Sequence, residues 1–328
     1  MSIRPFIVAA FSLVAAFLLL PETSRSQARE YPNRPVRILV PYAPGGPTDQ
    51  LVRAISERLA LNLKQPIVVE NKPGANTIIA AKQLTQSQPD GYTLFLASSA
   101  SLAVNPLVYA KLPYDADADF APISLVARAP LVLVVNAKVP VKTAPELISY
   151  INNQKGRFAF ASNGNGNPLH LACELFKTAA GLDMIHVPYS GTAPALTSVI
   201  AGDTQMSCDI VLSSLPQIKA GALRPIAIVG PKRVSVLPAV PTLAEQGLPA
   251  HDAAVWFALV APKGTPEPIV KRLNQELAAI LSDAGLRDRF NALAMELVSS
   301  TPQEVTALTE RERSKWAPVV RKYEIKVE

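Results

Sequence analysis

Apolar and polar positions along the chain follow two periods in turn. Short runs rich in β-branched residues, beginning with Val36 to Val40, alternate with stretches in which apolar residues such as Leu51, Ile55 and Leu59 share one helical face. Prolines stand at many of the boundaries between these runs. The alternation predicts βαβ units and therefore an α/β fold with mainly parallel sheets.

The individual elements follow from the same periods and from turn signals at their ends. The predicted strands are 36–40, 67–70, 92–97, 131–135, 158–161, 184–187, 205–211, 226–229 and 254–261. Besides the first helix around 51–59, the predicted helices are 145–153, 168–180, 193–201, 216–220, 266–281 and 302–320. Three Thr-x-x-Glu pairs can each satisfy two free amides at a helix start: Thr143 with Glu146, Thr242 with Glu245, and Thr301 with Glu304.

The first 28 residues have the pattern of a secretory signal. Arg4 precedes the apolar run Phe6 to Leu20, and Ser26-Gln27-Ala28 offers a small-x-Ala cleavage site. A membrane anchor is the competing interpretation, but the run is shorter than the roughly 20 residues that a spanning helix needs, and Pro21 follows it. We therefore expect a secreted mature chain that begins near Arg29.

Length and charge narrow the class of protein further. A chain of 328 residues, 49% of them apolar and 18% charged, suits two α/β lobes better than one core. The net charge of +6 is spread along the chain without a basic block, so we expect no nucleic-acid partner. A mild positive field would steer an anionic solute, although a well-solvated surface explains the charge equally well.

Three loops that follow predicted strands carry the residues with chemical potential. In an open α/β sheet, ligands bind beyond the carboxyl ends of the strands. The first loop, Pro41 to Asp49, contains Gly45 and Gly46, which let the backbone approach a ligand, and Thr48, which can cap the next helix. Free amides at that helix start favour a carboxylate or phosphate. A tight turn that needs glycine for its dihedral angles is the equal alternative.

The second and third loops have the same position between a strand and a helix. Residues 161–170 offer Ser and Asn side chains to a polar solute. Gly164-x-Gly166 begins a dinucleotide fingerprint, but Leu169 stands where the third glycine belongs, so nucleotide binding is not expected. The third loop spans 187–194. Three loops of this kind indicate one shared cleft.

Catalytic, metal and disulfide chemistry find little support in the sequence. No Gly-x-Ser-x-Gly elbow occurs, and the three histidines lack the spacing of a zinc motif. We therefore expect no cofactor, no metal and no catalysis, with a hydrolase assembled from distant Ser, His and Asp residues left as an alternative. Cys173 and Cys208 could pair in an oxidising compartment, or each could pack as a small apolar side chain.

A series of spaced motifs runs along nearly the whole chain. They are Tyr-Pro-x-x-Pro-Val-Arg (31–37), Pro-Gly-Gly-x-Thr-Asp (44–49), Val-Val-Glu-Asn-Lys-Pro-Gly-Ala (68–75), Pro-Asp-Gly-Tyr-Thr-Leu (89–94), Lys-Leu-Pro-Tyr-Asp (111–115) and His-Val-Pro-Tyr (186–189). Together they resemble the Bug family, the TctC-like receptors of tripartite tricarboxylate transporters. The resemblance covers residues 31–328.

The resemblance implies a type II periplasmic-binding-protein fold and a transport function. Lobe 1 would comprise residues 29–130 plus 254–328, and lobe 2 residues 131–253, with two crossovers between them. The lobes would close over a small carboxylate solute, and the monomeric protein would deliver it to membrane transporter subunits of the tripartite tricarboxylate type. A periplasmic sensor that presents the loaded form to a signalling partner is the alternative, because both use the same closure.

The resemblance also implies which residues contact the solute. The candidates in lobe 1 are Tyr42, Pro44, Gly45, Gly46, Thr48, Asp49, Ser98 and Ser99. The candidates in lobe 2 are Ser162, Asn163, Gly166, His170, Tyr189 and Asp209. Some have a purely structural alternative: Asp49 could stabilise the first turn of its helix, His170 could bond to local backbone, Tyr189 could pack in its lobe, and Asp209 could cap a helix.

Two departures from the family pattern affect these expectations. Asn76-Thr77-Ile78-Ile79 replaces further glycines after the Pro-Gly-Ala segment, and Gln205 stands where an acidic residue is common. The three loops also contain no arginine, which removes a bidentate clamp for a specific dicarboxylate. The identity of the solute is therefore not predicted.

Overall fold

The computed structural model describes residues 31–249 and 252–327. The predicted secretory signal, residues 1–28, lies outside the described residues. The elements below belong to the compact unit that begins at Arg34.

The described chain alternates strands and helices. Its strands are β1 (Val36–Val40), β2 (Ile67–Asn71), β3 (Thr93–Ser98), β4 (Phe120–Asn136), β5 (Ala159–Ser162), β6 (Ile185–Pro188), β7 (Met206–Ile210), β8 (Leu223–Ile228), β9 (Ala254–Pro262) and β10 (Glu296–Leu297). Its helices are α1 (Pro47–Leu63), α2 (Ile78–Thr85), α3 (Asn105–Val108), α4 (Ala144–Asn153), α5 (Pro168–Ala180), α6 (Thr192–Ala201), α7 (Val211–Lys219), α8 (Glu267–Leu281), α9 (Ala284–Asn291) and α10 (Pro302–Lys322). None of the helices in 31–249 and 252–327 is both long and apolar enough to cross a membrane.

The strands form one curled sheet in the order β2-β1-β3-β9-β4-β7-β5-β6, with β8 and β10 paired to β4. β1 lies parallel to β2 and β3, and β5 lies parallel to β6 and β7. The central strands β4 and β9 run antiparallel to their neighbours. Parallel βαβ units therefore occupy both ends of the sheet, which confirms the α/β prediction.

Strand β4 takes part in both halves of this sheet. It pairs with β9 from Phe120 to Pro130, and with β7 and β8 from Leu131 onward. We call β1, β2, β3, β9, β10 and β4 up to Pro130 the first half-sheet, and β5 to β8 with the rest of β4 the second half-sheet. The sequence predicted only 131–135 as a strand, because register shifts interrupt the pairing of the earlier part with β9.

The hydrophobic core divides in the same way as the sheet. One cluster of buried side chains, which includes Phe95, Phe120 and Trp256, packs against the first half-sheet. A second cluster, which includes Val132 and Val199, packs against the second. Each half-sheet thus has its own apolar support, as expected when βαβ units cover a sheet with helices.

Two of the three predicted Thr-x-x-Glu capping boxes form completely, and the third forms in part. Thr301 and Glu304 form a complete capping box at α10, and Thr242 and Glu245 exchange the same two hydrogen bonds. At α4 the box is partial, because the Glu146 carboxylate accepts from the amide of Lys142 and not from that of Thr143.

Four helices differ from the prediction, and α2 and α3 were not predicted at all. Helix α7 begins at Val211, not at Pro216, because the proline lies inside the helix and does not mark its first turn. Helix α9 was not predicted, although Asp283 caps it by accepting a hydrogen bond from the amide of Leu286.

Candidate ligand cleft

A cleft of about 790 Å³ lies where loops of the two half-sheets meet. The first half-sheet contributes the loop after β1, the turn after β2, and residues of β9. The second half-sheet contributes the loops after β5 and β6 and the junction of β7 with α7. The lining residues from these segments are Pro41, Tyr42, Ala43, Gly46, Thr48, Pro73 to Thr77, Asn163 to Asn165, Asn167 to Leu169, Tyr189 to Thr192, Ile210, Leu212 and Ser213.

None of the described residues that line the cleft has a charged side chain. The lining side chains are apolar groups, such as Phe257 and Met295, together with hydroxyl, amide and phenol groups. An anion in this cleft would therefore be recognised by neutral hydrogen-bond donors and by helix dipoles, not by an ion pair.

Several helices begin at the wall of this cleft. Helices α1, α6 and α7 start after Gly46, Gly191 and Ile210, and none of these three starts is capped by a side chain. Helix α5 starts at the cleft too, with the side chain of Asn167 accepting from the amide of Leu169. Uncapped first turns have free amides and a partial positive charge, so the cleft favours an anionic group on either side.

The first loop, 41–49, is held from behind by an ionised carboxylate. Asp49 Oδ2 accepts from the Gly45 amide (2.9 Å) and from Arg53 Nε (2.8 Å), while Asp49 Oδ1 accepts from Asn71 Nδ2 (2.9 Å). Asn71 Nδ2 also donates to the carbonyl of Tyr42 (3.0 Å). The hydrogen bond from Arg53 is the main reason that the pKa of Asp49 falls from 3.8 to about 2. Asp49 is 2% exposed, so it fixes the shape of the loop without lining the cleft.

Tyr42 is the aromatic residue of the first loop that lines the cleft. Its ring meets the edge of Phe257 with centroids 6.0 Å apart. Burial raises the pKa of its hydroxyl to about 12. Tyr42 is thus a neutral phenol at any physiological pH. Ser98 and Ser99 are buried behind the cleft, and the next residue, Ala100, lines it.

The second loop, 161–170, is held from behind by the stacked imidazole rings of His170 and His186. Ser162 Oγ lies 2.7 Å from His186 Nε2 and accepts from the Gly164 amide (3.3 Å). The Gly166 amide donates to His170 Nδ1 (3.2 Å), so the proton of that imidazole is on Nε2. The two imidazole rings stack with centroids 3.7 Å apart.

The charge of His186 is suppressed by its surroundings. Burial is the first cause, and the neighbouring His170 and Lys177 add to it, so that the pKa of His186 falls from 6.5 to about 3. Glu174 Oε1 lies 3.6 Å from His170 Nε2, and Lys177 Nζ lies 3.6 Å from the other Glu174 oxygen. The second loop therefore rests on a ring stack in which His186 is uncharged at neutral pH.

The structure separates the predicted site residues into two groups. Those that line the cleft are Tyr42, Gly46, Thr48, Asn163 and Tyr189. Those that lie outside the lining are Pro44 and Gly45, which are exposed on the first loop, and the buried residues Asp49, Ser98, Ser99, Ser162, Gly166, His170 and Asp209.

Asp209 and Cys208 lie on β7, and Cys173 lies on α5 beside that strand. Burial raises the pKa of Asp209 to about 7, although Ser214 Oγ donates to its Oδ2 at 2.7 Å. Cys173 and Cys208 are free buried thiols, and the Cys208 amide donates to Cys173 Sγ (3.0 Å). The structure thus favours the second of the two interpretations of the cysteines, that each packs as a small side chain.

Some lining residues were not predicted from the sequence. The turn 73–77 follows β2 directly, so the rule that picked out the other loops also applies to it. Tyr109, Met295 and Val327 come from distant parts of the chain, and no local pattern marks them.

A serine and a histidine lie within hydrogen-bond distance of each other behind the cleft. Ser162 and His186 form a Ser–His pair, but Ser162 is 1% exposed and does not line the cleft. Within 31–249 and 252–327, no three His, Cys, Asp or Glu side chains come together as metal ligands.

Comparison with known proteins gives a consistent set of relatives. The family model described as "Tripartite tricarboxylate transporter family receptor" matches residues 51–325. The protein BugT of Bordetella pertussis is 37% identical over 295 residues, which cover 90% of each chain. Among solved structures, R. palustris Rpa4515 with adipate is 35% identical, with a TM-score of 0.84 over 90% of this chain and 99% of that one. MatC from Rhodopseudomonas palustris with bound malate is 33% identical, with a TM-score of 0.78 over 88% of this chain and 100% of that one.

Proposed function

Because this chain belongs to the tripartite tricarboxylate transporter receptor family of periplasmic solute-binding proteins, we propose that it captures a small carboxylate in its cleft. The observation that carries the proposal is the set of uncapped helix starts, α1 from one half-sheet and α6 and α7 from the other, around a cleft without charged side chains. Such a cleft binds an anion through amides that are already oriented.

The solute class proposed here is a dicarboxylate of four to six carbons. Rpa4515 and MatC were solved with adipate and malate, which are both dicarboxylates. Free helix starts on both sides of this cleft suit a solute with an anionic group at each end. The apolar side chains between them, such as Phe257, suit the carbon chain.

We further propose that the two half-sheets are the cores of two lobes, 29–130 plus 254–328 and 131–253. The change of partner along β4 at Pro130 and Leu131 would be one crossover, and the return of the chain into β9 at Ala254 the other. A solute that contacts both lobes would favour the closed state by its preferential contacts there. The loaded protein would then deliver it to a tripartite membrane transporter without catalysing a reaction, and residues 1–28 would direct secretion.

Thermal denaturation with matched solutes tests the binding proposal. Adipate, malate, succinate and citrate are compared with 1,6-hexanediol, which has the carbon chain of adipate without its charges. A solute present at 100 times its Kd should stabilise the protein by about 2.7 kcal/mol. We expect at least one dicarboxylate to raise Tm by several degrees and the diol to have no effect. Equal shifts with adipate and the diol, or no shift with any carboxylate, would contradict the proposal.

A further inference from the structure

The turn after β2 has an unusual backbone for its sequence. Gly74, Ala75, Asn76 and Thr77 all have positive φ angles, of 126°, 44°, 46° and 76°. Glycine adopts such angles freely, whereas a β-branched residue such as Thr77 is rarely found there. Strained backbone of this kind persists only where neighbouring groups hold it, and it occurs preferentially at ligand-binding sites.

Asn76 is the residue that holds this turn. Its Nδ2 donates to Asn105 Oδ1 (2.7 Å), and its carbonyl accepts from Asn105 Nδ2 (2.9 Å). Its Oδ1 accepts from Nδ2 of Asn167 (3.2 Å), and Asn167 is the residue that caps α5. Asn76 is therefore bonded to the fully buried Asn105 of α3 and to Asn167 of the second loop.

Thr77 lies next to Asn76 in the wall of the cleft and is only 3% exposed. Its Oγ1 has no hydrogen-bond partner among the residues that the structure describes. A buried hydroxyl without a partner is costly and uncommon in folded proteins. An oxygen atom of a bound solute would supply the missing acceptor.

We propose that the turn Gly74–Thr77 is a specificity-determining element, in which Thr77 donates its hydroxyl to the solute and Asn76 positions the turn. This inference rests on the proposed function, since it requires that the solute occupies this cleft. Thr77 selects solutes with a hydrogen-bond acceptor at this place. Asn76 acts through the turn, because its side-chain atoms are already used by Asn105 and Asn167.

Paired substitutions at Thr77 separate the hydroxyl from the backbone. Thr77→Val keeps the β-branched shape and so the strain, but removes the donor; Thr77→Ser keeps the donor. Adipate and malate are the probes in calorimetric titrations. For the probe that the wild type binds more tightly, we expect Thr77→Val to raise the Kd about tenfold and Thr77→Ser to keep the Kd within about threefold of the wild-type value. Thr197→Val, on the exposed surface of α6, is the control and should bind like the wild type.

A double-mutant cycle tests the role of Asn76. Asn76→Gly tolerates the positive φ and removes the side-chain hydrogen bonds. It should therefore weaken binding of the same dicarboxylate as well. Because both residues act on one solute contact, Asn76→Gly combined with Thr77→Val should weaken binding no more than about threefold beyond Thr77→Val alone. Independent effects that multiply, or unchanged binding by Thr77→Val, would overturn the inference.

A crystal structure of the unliganded protein separates failure of the inference from failure of the proposed function. If the wild type binds neither adipate nor malate, the proposed solute class is wrong, and the position of Thr77 Oγ1 still decides the inference. A water molecule of the cleft bonded to this hydroxyl supports it. Donation by the hydroxyl to a carbonyl of the protein overturns it.

Discussion

The first and second loops, 41–49 and 161–170, line the same cleft but are supported from behind in opposite ways. The first rests on the ionised Asp49, which bonds to Gly45, Arg53 and Asn71. The second rests on the stacked rings of His170 and His186. In both, the supporting group bonds to loop amides or side chains that do not line the cleft, and the lining itself stays uncharged. The charge of Asp49 therefore lies behind its loop, where it holds the loop in shape, and not in the lining of the cleft.

The comparison also shows why the two loops respond to different changes. A carboxylate that bonds to three groups cannot be removed without leaving some of those groups unpaired. A stack of two buried imidazole rings is sensitive instead to protonation and to added volume. Substitutions in the two loops therefore test different parts of the account.

The largest effect is expected from the ionised support. Asp49→Ala removes the acceptor of the Gly45 amide and of Arg53 Nε, and one of the two acceptors of Asn71 Nδ2. We expect a loss of about 3 kcal/mol of stability together with much weaker solute binding. Chemical denaturation and titration with adipate measure both. Glu57→Ala, an exposed carboxylate on the same helix, should cost less than about 0.5 kcal/mol. Equal stability of the two variants would show that Asp49 does not hold the loop.

The second prediction compares one glycine from each loop. A Cβ at Gly166 would lie 3.0 Å from Val108 Cγ2 and from Val327 Cγ2, and its φ is +64°, so Gly166→Ala should cost about 2–3 kcal/mol. Gly45 has a φ of +81° with nothing within 4 Å of a Cβ, so Gly45→Ala should cost only about 1 kcal/mol. Urea denaturation of both variants measures the difference. The reverse order would show that the second loop is the looser of the two.

The smallest effect is expected from pH and separates the two supports. His186 titrates near 6.5 in the unfolded chain and near 3 in the folded protein, so the unfolded state binds the extra proton first as the pH falls. The contribution of the uncharged His186 to the free energy of unfolding is complete above pH 6.5. It should fall by about 1 kcal/mol between pH 6.5 and 5, because solvent screens the partly exposed ring and makes the loss smaller than for a fully buried one. Asp49 titrates below this pH range, so it does not change the pH dependence of stability between pH 6.5 and 5.

His186→Gln provides the control for that measurement, because it removes the titrating group. Its unfolding free energy should depend less on pH between 6.5 and 5 than that of the wild type. Parallel pH profiles for the two proteins would mean that protonation of His186 is not coupled to unfolding. His170, which stacks on His186, and its neighbours Glu174 and Lys177 remain in both proteins.

Much of the fold was predictable because hydrophobic periodicity records which face of an element is buried. Strand β1 and helix α5 were predicted with their observed bounds. The first part of β4 was not, since its irregular register leaves no clean alternation. Helix α7 was shortened because Pro216, a usual sign of a helix start, lies inside it.

The site was predictable as a set of loops but not as a set of contacts. The rule that ligands bind beyond strand ends located the loops after β1, β5 and β6, all of which line the cleft. It could not tell that Asp49 and His170 lie behind their loops, because the side of a loop on which a side chain lies depends on tertiary packing. The turn at Asn76 and Thr77 was noted as a departure from the family pattern, and its left-handed backbone has no local sequence signal.

The central claim, that both loops bind one carboxylate solute through neutral donors, is tested most directly by a crystal structure with the dicarboxylate that raises Tm most. The account predicts carboxylate oxygens within about 3.2 Å of backbone amides or neutral side-chain donors from both the first and the second loop. A solute that contacts one loop only, or whose carboxylates pair with an Arg or Lys side chain, would contradict it.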